Sequence, residues 1–152
     1  MAEPTVRREG NLRFAGAACA GYPEDPLSLA AAARAAMREQ AIRCLGPATL
    51  LFHVAPHDEP PERWECRVGT AIVGLAKPTA ELAIEDFLDL HALILPHTGP
   101  ILELPATHKR LVDHARALGA RVRPYWRLAL ARRRQADGNI LPAAEVAVFL
   151  DR

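Results

Sequence analysis

Three cysteines in 152 residues, Cys19, Cys44 and Cys66, are odd in number, far apart and free of any CxxC spacing. A disulfide framework or a zinc knot therefore has nothing to be built from, and reduced thiols in a cytosolic protein are the expectation. No run approaches the roughly 18 apolar residues of a membrane span, and the opening MAEPTVRREGN lacks the apolar core of a secretory signal. Neither export nor membrane insertion is expected. An excess of one charge is missing too: 19 Lys and Arg against 18 Asp and Glu leave a net +1, which draws the chain to neither phosphate backbones nor anionic lipid. The one basic cluster, Arg132-Arg133-Arg134, runs into Gln135-Ala136-Asp137-Gly138-Asn139, a turn composition that reads as a solvated loop. No direct nucleic-acid partner and no membrane partner follow from this.

Familiar chemistry is also absent. The chain holds no Gly-rich phosphate loop, HExxH or GxSxG. His53 and His57 straddle Pro56 instead of sharing a helical face, so no metal site is expected, and nothing calls for a cofactor. His91 beside Asp89 reads as a satisfied structural pair, while His108 and His114 fall on exposed or half-exposed helix faces.

What is present is half hydrophobic, 50% of residues, enough to bury a core at this length. Residues 1–10 are polar and read as a loose tail, leaving 11–152 as a single domain. Within it one order of elements occurs twice, over 11–74 and 86–152, joined by an exposed connection through Lys77-Pro78-Thr79. An apolar alternating strand and a Gly/Pro turn are followed by a helix, a short strand, a polar loop and a final strand. In the first unit Asp25 and Pro26 open a helix over about 27–44, with Gly46-Pro47 as its stop. In the second, Leu104, Leu111, Ala115 and Leu118 mark the inner stripe of a helix over 104–118 that Gly119 ends. The fold class is α+β: tandem pseudo-twofold strand-helix-strand-strand repeats forming antiparallel sheets, two helices on one side and a ligand cleft between the halves.

The final strands carry an oddity. Val146, Val148 and Leu150 alternate with Glu145, Ala147 and Phe149, so an acid stands on one face of an otherwise apolar strand. Glu65 in WECRVGTAIVG is its counterpart. Aromatics are scarce, 5% of residues, yet Trp64, Tyr125, Trp126 and Phe149 lie on or beside these strands. A carboxylate among rings attracts flat apolar cations, because cation–π and Coulomb terms add once water is partly excluded. The alternative is that both acids face solvent and the rings are core. Strand parity is open as well: if Glu65 faces the cleft then so does Arg67, and Trp64 points to the helices, unless a bulge reverses this.

These motifs bear a resemblance. AAEVAVFLD is similar to the terminal Thr-Glu-Ile strand of GyrI-like small-molecule-binding domains, with Ala144-Glu145-Val146 standing for Thr-Glu-Ile. His97-Thr98-Gly99-Pro100 before a helix resembles that family's His-x-Gly-Pro turn, and Trp64 to Gly69 resembles its aromatic-x-x-x-Val-Gly strand. The resemblance implies a duplicated SOUL/SHS2-like module. Its relatives serve as effector-binding domains of AraC- and MerR-type multidrug regulators, as stand-alone proteins binding toxins or gyrase, and in one branch as hydrolases of cyclopropane-bearing genotoxins. It places the family's strand glutamate on Glu145, as counter-charge or acid/base, and makes Glu65 the pseudosymmetric partner. No helix-turn-helix segment is left over. The expected function is a stand-alone receptor or sequestering protein for a hydrophobic, often cationic small molecule, bound by Glu145, Glu65, Arg67, Trp64, Tyr125, Trp126 and Phe149. Paired catalytic acids Glu65 and Glu145 are the alternative. A protein target of the gyrase-inhibitor kind and a homodimer stay open.

Overall fold

The computed structural model describes the backbone of residues 3–134 and 140–151 and the side chains of 3–130 and 144–151. In order come β1 (Thr5–Ala20), α1 (Pro26–Glu39), β2 (Arg43–Phe52), β3 (Glu65–Val73), β4 (Ala83–His97), α2 (Leu104–Ala117), β5 (Arg121–Arg134) and β6 (Ile140–Asp151). The strand-helix-strand-strand order thus appears twice. All pairings are antiparallel, and the six strands close into one barrel in the order β1-β3-β2-β5-β6-β4. Exchanging β1 with β4, β2 with β5 and β3 with β6 reproduces that order, as a pseudo-twofold requires. The α+β class read from the sequence is the one observed, with the antiparallel sheets joined edge to edge. No helix among the described residues is long and apolar enough to cross a membrane.

Both helices cover the outer face. Ala30 of α1 and Leu104, Leu111 and Ala115 of α2 share one cluster with Leu50, Phe52, Trp64, Trp126, Val146, Val148 and Leu150. Fully burying each such aliphatic chain is worth about 1.5–3 kcal/mol. The intervening residues Leu51, Ala147 and Phe149 turn inward and join Phe14, Phe87 and Ala92 in a second cluster inside the barrel. Period-two alternation therefore sorts β6 as its sequence indicates, which sets Glu145 on the inward face.

Parity breaks on the neighbouring strands. β1 begins at Thr5, so Thr5 to Gly10 belong to a strand paired with β4 rather than to a loose tail. Gly10, at φ +69°, sits between two register shifts. This bulge lets the odd-numbered Arg7 and Glu9 line the same interior as the even-numbered Leu12 and Phe14. A polar strand whose alternation changes phase halfway along looks structureless in sequence. Opposite it, Asp89 at φ +50° does the same for β4, where Phe87 and then Leu90 and Ala92 face inward.

Asp25 caps α1 as its composition suggests, accepting from Ser28 N at 3.1 Å, with Pro26 in the first turn. The helix stops earlier than expected, at Glu39, because Ala41 takes the left-handed position at φ +57°. The stop is held by Gln40, whose amide donates to Lys77 O at 2.9 Å and accepts from Lys77 N at 2.8 Å. Gly46 and Pro47 instead form a bulge inside β2, between Leu45 and Thr49. Leu118 lies past the end of α2 and is exposed. Cys19 and Cys66, distant in sequence, are direct cross-strand partners with free thiols.

His108 departs from its expected exposure. It is 6% exposed, edge-on to Trp126 at 5.2 Å, and its Nδ1 has no hydrogen-bond partner among the described residues. Burial, and then the nearby His57, push its pKa down to about 4. The folded state thus prefers the neutral ring, while the unfolded chain takes a proton near pH 6.5. Stability from this group is complete above about pH 6.5 and is lost as the pH falls toward 4, roughly 2 kcal/mol of it by pH 5. Urea denaturation between pH 7 and 5 should show this slope, and His108→Leu should flatten it. An unchanged slope in the variant would place its origin elsewhere.

Candidate functional site

Inside one end of the barrel lies a cavity of about 370 Å³. Leu12 and Phe14 of β1, Leu45, Pro47, Thr49 and Leu51 of β2, Ala71 of β3 and Ala129 of β5 form its largely apolar walls. Four charged side chains close it: Arg7, Glu9, Arg127 and Glu145. Their arrangement is a relay of ion pairs. Arg127 grips Glu9 end-on, Nη1 donating to Oε1 at 2.5 Å and Nη2 to Oε2 at 2.7 Å. Arg7 reaches Glu9 Oε2 through Nε and Nη2 at 3.1 and 3.0 Å, and the same Nη2 donates to Glu145 Oε1 at 2.7 Å. Arg127 Nη2 stands 3.8 Å from that Glu145 oxygen.

Exposure divides the four. The side chains of Arg127 and Glu9 are 9% and 12% exposed, those of Glu145 and Arg7 are 32% and 47%. Burial by itself would raise the Glu9 carboxyl, but the hydrogen bonds and charge of Arg127, then of Arg7, outweigh it and hold Glu9 below the usual carboxylate range. Burial acts on Arg7 in the opposite sense and is outweighed by its bonds to Glu145 and Glu9, leaving its pKa raised. The Arg127 guanidinium also lies over the Phe149 ring, 5.2 Å from its centroid, and its Nε has no hydrogen-bond partner among the described residues.

Glu65 and Arg67 line a separate cavity, with Ala18, Cys19, Ala20, His53 and Cys66. Arg67 Nη1 lies 3.1 Å from Glu85 Oε1, and His53 Nε2 lies 3.8 Å from Glu85 Oε2. The two ends are related by the pseudo-twofold with signs exchanged. Arg7 on β1 meets Glu145 on β6, whereas Glu85 on β4 meets Arg67 on β3. Glu65 and Glu145 are not brought together. Across the sheet Glu145 is level with Ala129, Thr49 and Gly69, and Glu65 lies further along β3 by on the order of 13 Å at the strand rise.

The aromatic residues fall into two groups. Trp64 and Trp126 are buried on the helix side, packed with Phe52, and their indole N–H groups donate to Glu59 O at 2.8 Å and Val54 O at 2.7 Å. That is the parity in which Arg67 faces inward and Trp64 faces the helices. Tyr125 and Phe149 are inside the barrel, 5.3 Å apart, Phe149 under Arg127 and Tyr125 6.4 Å from His53. Arg7, Glu9 and Arg127 are site residues that sequence reasoning missed. Arg127 did leave a signal: it is a lone charge inside the apolar run YWRLALA.

No protein-family model matches the chain, and no curated protein matches it by sequence. Solved structures do match in fold. The C-terminal domain of EcmrR superposes with a TM-score of 0.75 at 9% identity, over 99% of this chain and 98% of that one. A hydrolase from Listeria innocua gives 0.67 at 12% identity, over 98% of this chain and 92% of its own. SAV2435, solved bound to tetraphenylphosphonium, gives 0.55 at 8% identity, over 99% and 94%. At such identities the likeness shows a shared fold.

Proposed function

We propose that this chain is a small-molecule-binding protein whose ligand sits in the Glu145 cavity with its apolar body against Leu12, Phe14, Leu51 and Ala129. One observation carries the reading: a cavity of about 370 Å³ within the size range of drug-sized pockets, apolar along its walls and polar at one end, where orientation can be fixed. Structures of the same fold that include a ligand-bound one support it. The drug-like, hydrophobic class follows from the walls. The sign of the ligand's charge depends on the arginines around Glu145. A paired-acid hydrolase gains no support, since Glu65 and Glu145 line separate cavities.

Ala71 lines the cavity from β3, so Ala71→Trp should fill it. Fluorescence titration with Nile red, a neutral apolar dye, is expected to show saturable binding to the unmodified protein and at least about tenfold weaker binding to the variant, the equivalent of one lost wall contact patch of about 1.4 kcal/mol. Equal titration curves for both proteins would move the site elsewhere.

A further inference from the structure

Among the described lining residues, both carboxylates that could recognise a cation in this cavity are already held by arginines of the chain itself. The Glu145 carboxylate is held by Arg7 at 2.7 Å. Glu9 is held by Arg127 and Arg7 together. The face of Phe149 carries the Arg127 guanidinium. Trp64 and Trp126 are in the helix-side core. Among the described lining residues two positive charges balance two negative ones, so an entering cation finds no uncompensated field. It gains Glu145 only by displacing Arg7, exchanging one charge-assisted hydrogen bond for another. A neutral acceptor has no such competition, because each guanidinium offers more N–H donors than these contacts use. Arg127 Nε, buried in the absence of a ligand, has no partner among the described residues.

We infer that Arg7 is the specificity-determining residue of this cavity: it acts as a tethered cation on Glu145, excludes lipophilic cations, and reserves the cavity for neutral apolar ligands bearing a hydrogen-bond acceptor. The inference rests on the binding function proposed above. Arg7 suits the role by position, since its side chain is about half exposed on the terminal part of β1, whereas Arg127 is buried and fixed by Glu9.

Two probes of closely matched shape separate the classes: methyltriphenylphosphonium, a cation, and triphenylphosphine oxide, neutral with one strong acceptor. Isothermal titration of the full chain should give tighter binding of the oxide, by about tenfold, the scale of one charge-assisted contact. In Arg7→Met, phosphonium affinity should rise by about tenfold, and Arg7→Lys should keep the original ranking. If Arg7→Met folds poorly, Arg7→Gln serves: it also removes the tethered cation while keeping a hydrogen-bond donor for Glu145, and the same rise in phosphonium affinity is expected. Phosphonium binding as tightly as the oxide, or no gain in both Arg7→Met and Arg7→Gln, would overturn the assignment of Arg7. The Ala71→Trp variant separates the two levels. If it blocks both probes while the ranking contradicts expectation, only the role of Arg7 fails. If it blocks neither, the cavity itself is not the binding site and both readings fall.

Discussion

Replacing Arg127 by Met is expected to destabilise the fold by about 3–5 kcal/mol at pH 7, the range seen when one partner of a buried ion pair is removed. Met keeps most of the apolar volume over Phe149, so the loss reports charge and hydrogen bonding. Among the described residues, Glu9, nearly buried, would retain Arg7 alone, whose side chain is half exposed. The pH dependence gives the sign. Glu9 now titrates below its usual range, so the pair contributes fully above the unfolded value near 4.5 and its contribution falls away as the pH drops through the folded value. Without Arg127 the carboxyl should protonate more readily, and the gap between variant and parent should narrow in acid. Adding Glu9→Gln should restore part of the loss. Urea denaturation of the two single variants and the double variant measures all of this, and a single-variant cost under about 1 kcal/mol would mean that the pair is screened like a surface bridge.

Gly69→Ala is expected to prevent folding or to cost more than about 4 kcal/mol, the exceptional end of point-mutant effects. A Cβ there would lie 1.8 Å from Ala15 O and 2.8 Å from Gly16 Cα, backbone that cannot move without parting β1 from β3. Gly16, its register partner, makes the control. A Cβ on Gly16 meets the Phe14 ring at 2.5 Å and Arg67 Cβ at 3.2 Å, side-chain atoms that can shift, so Gly16→Ala should cost less. Soluble yield and denaturation midpoints of the two variants decide it. Equal effects would show that the strands relax around either site.

This glycine also shows how much could be read from the chain. Val68-Gly69 is visible as a motif, but the reason for it, two backbones in contact, exists only once β1 and β3 are paired. The strand-helix-strand-strand order and the Asp25 cap were legible because each depends on local spacing, whereas spacing put Glu145 opposite Val146, Val148 and Leu150 without saying which of the two faces was inward. The partners of Glu145 were not legible. Arg7 and Glu9 lie at the opposite end of the chain, on a strand whose alternation is put out of phase by Gly10, so no periodicity marks them as inward. Scarcity of aromatics suggested a cage around the acid, yet Trp64 and Trp126 obey the parity of the helix side. Buried indoles with satisfied N–H groups are what a core uses, and composition does not separate a core ring from a ligand wall. His108 hid for a related reason: polar neighbours along α2 masked its place on the stripe of Leu104, Leu111 and Ala115.

The barrel's seams are of unequal length. β1 and β4 pair from Thr5 with Ile94 to Gly16 with Ala83, while β2 and β5 share only Ala48–Phe52 against Trp126–Leu130. Fewer backbone hydrogen bonds hold the β2–β5 seam than the β1–β4 seam, and side-chain packing makes up the difference: Leu50, Phe52, Trp126 and Leu128 are buried together on its helix side, with Phe52 stacked on Trp126 at 4.2 Å. Thr49, Leu51 and Ala129 of the same seam line the cavity from within, so a substitution that loosens that outer packing should be felt at the ligand's walls.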